Sequence, residues 1–184
     1  MKIIDRTRNG VTFLSADGFE AAGGVAHGFS TRLGGVSEGI YATLNLGMNR
    51  GDAPDRVREN YRRFCAAIGA DMGNIVCASQ VHGDTVRTVT AADLGIGLDE
   101  PEPWQADGLV TDIPGVTLAV YSADCLPILL YDPVRRVVGA VHAGWRGTAL
   151  GIAQADDLSG PLTLAFTICL LYTSPSPRDS TSSR

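Results

Sequence analysis

The stretch VTLAVYSADCLPILLYDPVRRVVGAVHA, residues 116–143, contains three apolar runs separated by short polar breaks. The runs VTLAVYS (116–122), PILLYD (127–132) and VVGAVHA (137–143) have the length and the β-branched content of strands. Their nearly continuous apolar character is typical of strands that are covered on both faces. The turn DPVRR at 132–136 predicts a hairpin between the second and third runs. The sequence therefore predicts a centre dominated by β-sheet.

A second pattern is helical. In DAPDRVRENYRRFCAAIG, residues 52–69, apolar side chains recur at intervals of three and four and fall on one face of a helix. The side chains that we expect in the core are Val57, Tyr61, Phe64, Cys65 and Ile68. We expect Asp52 to cap the N-terminus, Pro54 to lie in the first turn and Gly69 to follow the last turn.

Shorter segments complete the predicted architecture. Residues 75–79, 85–90 and 108–111 have the character of strands. The stretch 92–106 is rich in Gly, Pro and acidic residues and predicts an exposed loop rather than a domain boundary. The predicted fold class is α+β, a single domain of layered mixed β-sheets flanked by helices.

The composition excludes several classes of function. The chain of 184 residues carries a net charge of −5, and its single lysine is Lys2. It has no basic stripe for nucleic acid, and no lysine stands where a P-loop or a Schiff base would need one. No run is long and apolar enough for a membrane helix, and the first residues lack the features of a secretory signal, which predicts a cytoplasmic location. The four cysteines form no CxxC pair and predict no disulfide framework.

Three side chains are candidates for a catalytic centre. His82 in QVHG and His142 in VHAGWRG stand at predicted strand ends beside glycine, and Cys125 stands in SADCLP. One thiolate and two imidazoles can hold Zn²⁺ in a tetrahedral site with its fourth position open, as in catalytic zinc sites. The same residues can instead form a metal-free hydrolase or deamidase, with Cys125 as nucleophile and His142 as base. A third interpretation is a buried cysteine with two structural histidines; we expect the remaining histidine, His27, to be structural.

Two arginines are candidates for binding an anion. The glycine-rich segment at residues 27–47 contains Arg32 and Asn45, and it either wraps a ligand or forms two ordinary turns. Arg146 in GWRGT precedes an expected helix start at Thr148, where a cation and backbone N–H groups together can hold phosphate.

Six segments, in this order, resemble the YfiH family, also described as laccase-domain or polyphenol-oxidase proteins. They are HGFSTRLGGVSEG, LNLG, QVHG, ADGLVT, SADCLPILLYDP and VGAVHAGWRGT, within residues 20–152. The resemblance implies a YfiH-like fold and a purine nucleoside phosphorylase. It also implies that the zinc ligands and catalytic residues are His82, Cys125 and His142, the residues already selected for their chemistry.

The activity implied by the resemblance is the zinc-dependent cleavage of adenosine, inosine and guanosine by phosphate to the base and ribose 1-phosphate. Adenosine deamination and methylthioadenosine phosphorolysis are implied as well. We expect Arg32 and Arg146 to hold phosphate, with Asn45 as a third substrate-binding residue. The expected partners are purine nucleosides and phosphate, without nucleic acid or membrane, while the oligomeric state stays open. Three histidines are too few for multinuclear copper sites.

The resemblance ends near residue 152. Residues 153–168 do not resemble the helix and strand that follow this point in proteins of the family. The segment CLLYTSPSPRD at 169–179 resembles a translated sequencing adapter. We therefore expect one YfiH-like domain over residues 1–168, incomplete at its C-terminus, followed by a non-native tail at 169–184. The alternative to an enzyme is an inactive fragment with binding capacity only.

Overall fold

The computed structural model describes residues 2–154 and the strand at residues 167–171. Within these residues the α-helices are α1 (Asp17–Ala22), α2 (Pro54–Ile68) and α3 (Trp145–Leu150). The strands are β1 (Ile3–Arg8), β2 (Val11–Ala16), β3 (Gly28–Ser30), β4 (Ile75–Val76), β5 (Val86–Thr88), β6 (Gly108–Thr111), β7 (Thr117–Ser122), β8 (Leu126–Asp132), β9 (Val137–Ala143) and β10 (Thr167–Leu171). None of the described helices is long and apolar enough to cross a membrane.

The described strands form two mixed sheets. The first has the order β1-β2-β3-β10-β7-β4 and the second the order β5-β6-β9-β8. In the first sheet β3, β10, β7 and β4 run parallel to one another, so their carboxyl ends meet at one edge. In the second sheet β9 pairs antiparallel with β6 and with β8, and the predicted β8–β9 hairpin is confirmed. The predicted α+β class with layered mixed sheets is confirmed as well.

β7 lies at the centre of the layers and is covered on both faces, as predicted. Ala119 belongs to a core cluster with Phe64 of α2, whereas Leu118 and Val120 belong to the cluster between the two sheets, with Leu109 of β6. Full burial of each such aliphatic or aromatic side chain contributes about 1.5–3 kcal/mol to stability. The helix, the first sheet and the second sheet are therefore stacked in that order.

The predicted helix is confirmed by α2. All five side chains predicted for its buried face are buried, including Cys65. Pro54 is the first helical residue, and Gly69 follows the last turn with a left-handed φ of 81°. Glycine suits this position because other residues carry a Cβ atom that makes a left-handed φ unfavourable.

Asp52 is not the N-cap of α2, and the sequence prediction on this point is wrong. The N-cap is Ala53. The Asp52 carboxylate instead accepts hydrogen bonds from Ser37 Oγ (2.6 Å), Asn45 Nδ2 (3.0 Å) and the Ala53 N–H (2.8 Å). Two of these three donors belong to the glycine-rich segment, so the carboxylate links that segment to the start of the helix.

Three strands differ from their predictions. β5 covers only Val86–Thr88 of the predicted 85–90. β4 covers only the first two residues of the predicted 75–79, because the Cys77 N–H bonds to the carbonyl of Ile96 in a neighbouring loop (2.8 Å). β8 is an edge strand with mostly half-buried residues, where burial on both faces was expected. The segment 92–106 is not exposed throughout, in contrast to the prediction, because Leu98 is buried in the core.

Helix α3 begins at Trp145 rather than at Thr148, because Gly144, the residue after β9, serves as the N-cap. Strands β1–β3 and helix α1 were not predicted, although the sequence VTFLSA of β2 alternates between buried and half-buried positions as a strand does.

The segment excluded as a non-native tail contributes to a strand. Residues 167–171 form β10, which pairs in parallel with β3 on one side and β7 on the other. Strand pairing uses backbone N–H and C=O groups, and every residue except proline has both. The pairing of β10 is therefore no evidence on whether its sequence is native. The domain boundary at residue 168 and the non-native tail stay predictions; residues 172–184 lie outside the described residues.

Candidate metal centre

The fold brings the three predicted ligands together. His82 follows β4 and Cys125 follows β7, and the parallel pairing of these strands directs both segments to the same edge of the first sheet. His142 lies in β9, whose ladder with β8 begins at Leu126, the residue after Cys125. One ring nitrogen of each histidine and the Cys125 Sγ all lie within 4.8 Å of one another.

The cluster is closed on one side and open on the other. The two imidazole rings pack edge to face, with centroids 4.7 Å apart and planes at 88°. His142 is only 3% exposed, whereas Cys125 is half-buried and His82 is exposed. An ion held by the three side chains would thus keep a coordination position toward solvent, as catalytic rather than structural metal sites do.

One buried carboxylate lies behind both histidines. Oδ1 of Asp107 lies 2.8 Å from His142 Nδ1 and accepts the His82 N–H at 2.9 Å. Oδ2 accepts the N–H groups of Val81 (3.1 Å) and Gly83 (2.8 Å). Burial raises the pKa of Asp107, but the hydrogen bonds from His142 and from these backbone groups outweigh burial and hold the pKa below its usual range.

Asp107 is the residue that sequence reasoning missed. It stands in the segment ADGLVT, which entered only as part of the family resemblance. The available signal was an aspartate immediately ahead of the buried strand β6, a position where side chains often point toward a site.

The thiol of Cys125 lies near two carboxylates. Burial raises the pKa of its thiol, and the neighbouring carboxylates of Asp124 and Asp107 raise it further. Nucleophilic cysteines have a lowered pKa, which positive neighbours provide. The surroundings of Cys125 are negative, and a bound cation would compensate for them.

A cleft of about 550 Å³ opens beside Cys125. Its lining residues are Asp124, Cys125, Leu126, Ala143, Trp145, Thr148 and Ala149. The indole of Trp145 is 75% exposed, so it lies at the surface of the cleft rather than in the core. Small-molecule sites typically have volumes of about 300–1,000 Å³, and this cleft falls within that range.

The two arginines lie near this region but do not line the cleft. Arg32 follows β3 by two residues, at the same edge of the sheet, and β3 lies two strand spacings, roughly 10 Å, from β7. Its Nε and Nη2 donate to the carbonyl of Ala42 at 2.9 and 2.5 Å. Arg146 is exposed in the first turn of α3, with its guanidinium carbon 5.2 Å from the ring centroid of Trp145.

Asn45 lies away from the cleft lining, inside a buried network. Its Nδ2 donates to Asp52, its Oδ1 accepts the Gly47 N–H at 3.0 Å, and its carbonyl accepts from Asn60 Nδ2 at 2.8 Å. The structural role expected for His27 agrees with its burial and with its Nε2, which accepts the N–H of Ala16 at 2.8 Å.

Two similar curated proteins are both named purine nucleoside phosphorylases. The chain is 48% identical over 130 residues to a purine nucleoside phosphorylase of Deinococcus radiodurans, covering 71% of this chain and 47% of that protein. It is 44% identical over 134 residues to purine nucleoside phosphorylase YlmD of Geobacillus stearothermophilus, covering 72% and 48%. The chain thus spans about half the length of the curated relatives it matches.

Solved structures agree with the sequence relatives. The crystal structure of YlmD from Geobacillus stearothermophilus superposes with a TM-score of 0.74 at 36% identity, over 85% of this chain and 60% of that one. The Bacillus licheniformis protein YfiH gives a TM-score of 0.72 at 37% identity, over 82% and 56%. Residues 26–157 match the family described as multi-copper polyphenol oxidoreductase laccase. The chain therefore belongs to this family, which includes the YfiH and YlmD proteins.

Proposed function

We propose that this chain carries the active site of a zinc-dependent purine nucleoside phosphorylase, which cleaves adenosine, inosine and guanosine with phosphate. The observation that carries the proposal is the cluster of His82, Cys125 and His142 beside an open cleft. The names of the relatives from Deinococcus and Geobacillus support the reaction. The partners are then purine nucleosides and inorganic phosphate.

The donor set fits Zn²⁺. Thiolate and imidazole are both ligands that this ion binds readily, and three protein ligands leave one position for a reacting group. The bond between His142 Nδ1 and Asp107 leaves Nε2 of His142 available to the ion, and carboxylate–histidine pairs of this kind support metal-bound histidines. When bound, Zn²⁺ supplies positive charge that stabilises negative charge developing on the substrate.

Multinuclear copper chemistry, which the family's description names, fits less well. The chain has three histidines, and the one outside the cluster, His27, is buried with its Nε2 bonded to Ala16. Copper centres of that type need several further imidazole ligands, and the remaining donor of the cluster is a single cysteine.

The residues around the cleft suit the two substrates. In phosphorolysis a phosphate oxygen bonds to C1′ while the C1′–N9 bond breaks, and the electron pair of that bond leaves with the purine. Trp145 offers an exposed aromatic face on which the purine can stack. Arg146 and Arg32 hold the phosphate and neutralise its charge in this proposal, whereas Asn45 contributes by shaping the segment that carries Arg32.

Two further activities are assigned to the same site in this proposal. Methylthioadenosine shares the purine and the glycosidic bond of adenosine, so its phosphorolysis uses the same contacts. Adenosine deamination replaces the 6-amino group with an oxygen from water and releases ammonia. We place this chemistry in the cytoplasm, in line with the sequence prediction.

The test is phosphate-dependent release of hypoxanthine from inosine by the zinc-loaded 184-residue chain. We expect hypoxanthine and ribose 1-phosphate in equal amounts, and loss of both in Cys125→Ala. Cys65→Ala, which changes a core cysteine outside the cluster, is the matched control and should retain activity. YlmD of Geobacillus stearothermophilus serves as the positive control. Equal rates in the wild type and Cys125→Ala, or release that needs no phosphate, would contradict the proposal.

A further inference from the structure

Asp107 contacts both histidine segments of the cluster, although it is itself fully buried and outside the cleft lining. We propose that Asp107 is the positioning residue of the metal site: its carboxylate sets the tautomer of His142 and the backbone conformation of His82, so that both rings face one ion. This inference rests on the metal site proposed above.

The first function of Asp107 concerns the ring of His142. A buried carboxylate 2.8 Å from Nδ1 accepts a hydrogen bond, so the proton of the neutral imidazole resides on Nδ1. Nε2 then carries the lone pair that a metal ion requires. Without the carboxylate, the two tautomers of His142 would compete, and one of them presents a proton instead of a lone pair.

The second function concerns the backbone of His82. This residue has a φ of 62°, in the left-handed region where only a small share of non-glycine residues lie, histidine more often than most. This conformation is unfavourable for a residue with a Cβ atom, because that atom approaches the following carbonyl oxygen. The N–H groups of Val81, His82 and Gly83 all point at the Asp107 carboxylate and offset that cost. Three successive backbone donors on one anion form a turn that fixes where the imidazole of His82 leaves the chain.

An asparagine cannot replace this carboxylate. If its amide oxygen takes the position of Oδ1, its NH₂ group faces the N–H groups of Val81 and Gly83, and donors oppose donors. If the amide is flipped, its NH₂ group faces His142 Nδ1 and favours the tautomer with the proton on Nε2, and also opposes the N–H of His82. Either arrangement disturbs at least one ligand of the ion.

The test compares Zn²⁺ affinity in the full 184-residue wild type, Asp107→Asn and Asp93→Asn, by competition with a chromophoric chelator. Asp93 is the matched control, because it is a buried aspartate that accepts a backbone N–H, from Thr90, but lies outside the cluster. We expect Asp107→Asn to bind Zn²⁺ about 10- to 100-fold more weakly than the wild type. Asp93→Asn should bind Zn²⁺ like the wild type.

A second measurement separates positioning from a general loss of structure. Melting temperatures of the metal-free proteins are recorded, and Co²⁺ is used as a spectroscopic probe. In Asp107→Asn the charge-transfer band from the Cys125 thiolate to Co²⁺ should persist at high Co²⁺ concentration, while the d–d bands change as histidine ligation changes. A role in stability alone would lower the melting temperature and leave Zn²⁺ affinity and these bands unchanged, which would overturn the inference.

If Asp107→Asn gives no cooperative melt, Asp107→Glu decides the question. It keeps the charge, but its extra methylene moves the carboxylate, so we expect weakened Zn²⁺ binding here too. If the variant that folds binds Zn²⁺ with wild-type affinity, the proposed role of Asp107 is wrong. The proposed metal site is not affected by that result. Absence of Zn²⁺ binding by the wild type itself removes the metal site and, with it, this inference.

Discussion

A Cβ atom on Gly144 would lie 2.8 Å from Cδ2 of His82 and 3.4 Å from Sγ of Cys125. The first distance is shorter than any normal contact between two carbon atoms, so a side chain at this position must displace the ring of His82. The φ of Gly144 is −69°, which other residues adopt readily. Glycine is required here for space and not for backbone freedom.

Gly144→Ala should therefore weaken Zn²⁺ binding, because the new methyl group pushes the His82 ring out of the cluster. Isothermal titration with Zn²⁺ measures the effect. Gly73→Ala is the control, since its Cβ atom would come no closer than 3.5 Å to another residue and its φ is not positive. Wild-type affinity in Gly144→Ala would show that His82 is not held at this distance in the metal-bound protein.

Zinc should protect Cys125 from thiol reagents. We expect Cys125 to react in the metal-free native chain, because it is half-buried rather than enclosed. Cys65 and Cys77 should stay unreactive, since burial raises the pKa of each to about 12. The measurement is the number of thiols labelled with and without Zn²⁺ in a Cys169→Ser background. Labelling that Zn²⁺ does not slow would exclude Cys125 as a ligand.

Trp145 should report nucleoside binding by fluorescence. The chain has two tryptophans, so Trp104→Phe leaves Trp145 as the sole indole emitter. A purine stacked on its ring should quench the emission in a saturable way. Trp145→Ala should cost about 1–3 kcal/mol of nucleoside binding, the usual range for stacking of a base on an aromatic ring. Emission that adenosine and inosine leave unchanged would place the purine elsewhere.

The buried His27 should make the protein less stable in mild acid. Burial lowers the pKa of its imidazole, so the unfolded chain binds the proton more readily than the folded one. The stabilising contribution is complete above the unfolded pKa of about 6.5 and is lost as the pH falls below it through the folded value. Urea unfolding at several pH values should show this loss relative to His27→Gln, whose amide oxygen can still accept the Ala16 N–H. Parallel pH profiles of the two proteins would contradict this prediction.

Asn60 should stabilise the segment that carries Arg32. Its side chain is fully buried on α2, donates to Ser37 Oγ and to two carbonyls, and accepts the Val36 N–H at 2.8 Å. Asn60→Ala leaves these groups without their partner and should lower the free energy of unfolding by at least about 2 kcal/mol. Glu59→Ala, which removes exposed ion pairs on the same helix, should cost clearly less than Asn60→Ala. Chemical denaturation measures both, and similar losses would contradict the prediction.

Local sequence patterns were sufficient to predict those helices and strands whose structure depends mainly on their own residues. The spacing of Val57, Tyr61 and Phe64 identified the buried face of α2, because that face follows from 3.6 residues per turn. The runs at 116–122 and 137–143 identified β7 and β9, because strands buried on both faces need apolar residues throughout. Local patterns failed for Asp52, which is not the N-cap of α2 and whose carboxylate also accepts hydrogen bonds from the distant Ser37 and Asn45.

By itself, the sequence determined which donors were available: one cysteine and two histidines at strand ends, chemically suited to Zn²⁺. Only the tertiary structure decided that they converge, because the parallel pairing of β4 with β7 and the end of the β8–β9 ladder join residues up to 60 positions apart in the chain (142 − 82). The pairing of β6 with β9 placed Asp107, which precedes β6, beside the ring of His142. Such contacts between distant segments leave no periodic signal in the sequence, since they depend on which strands become neighbours.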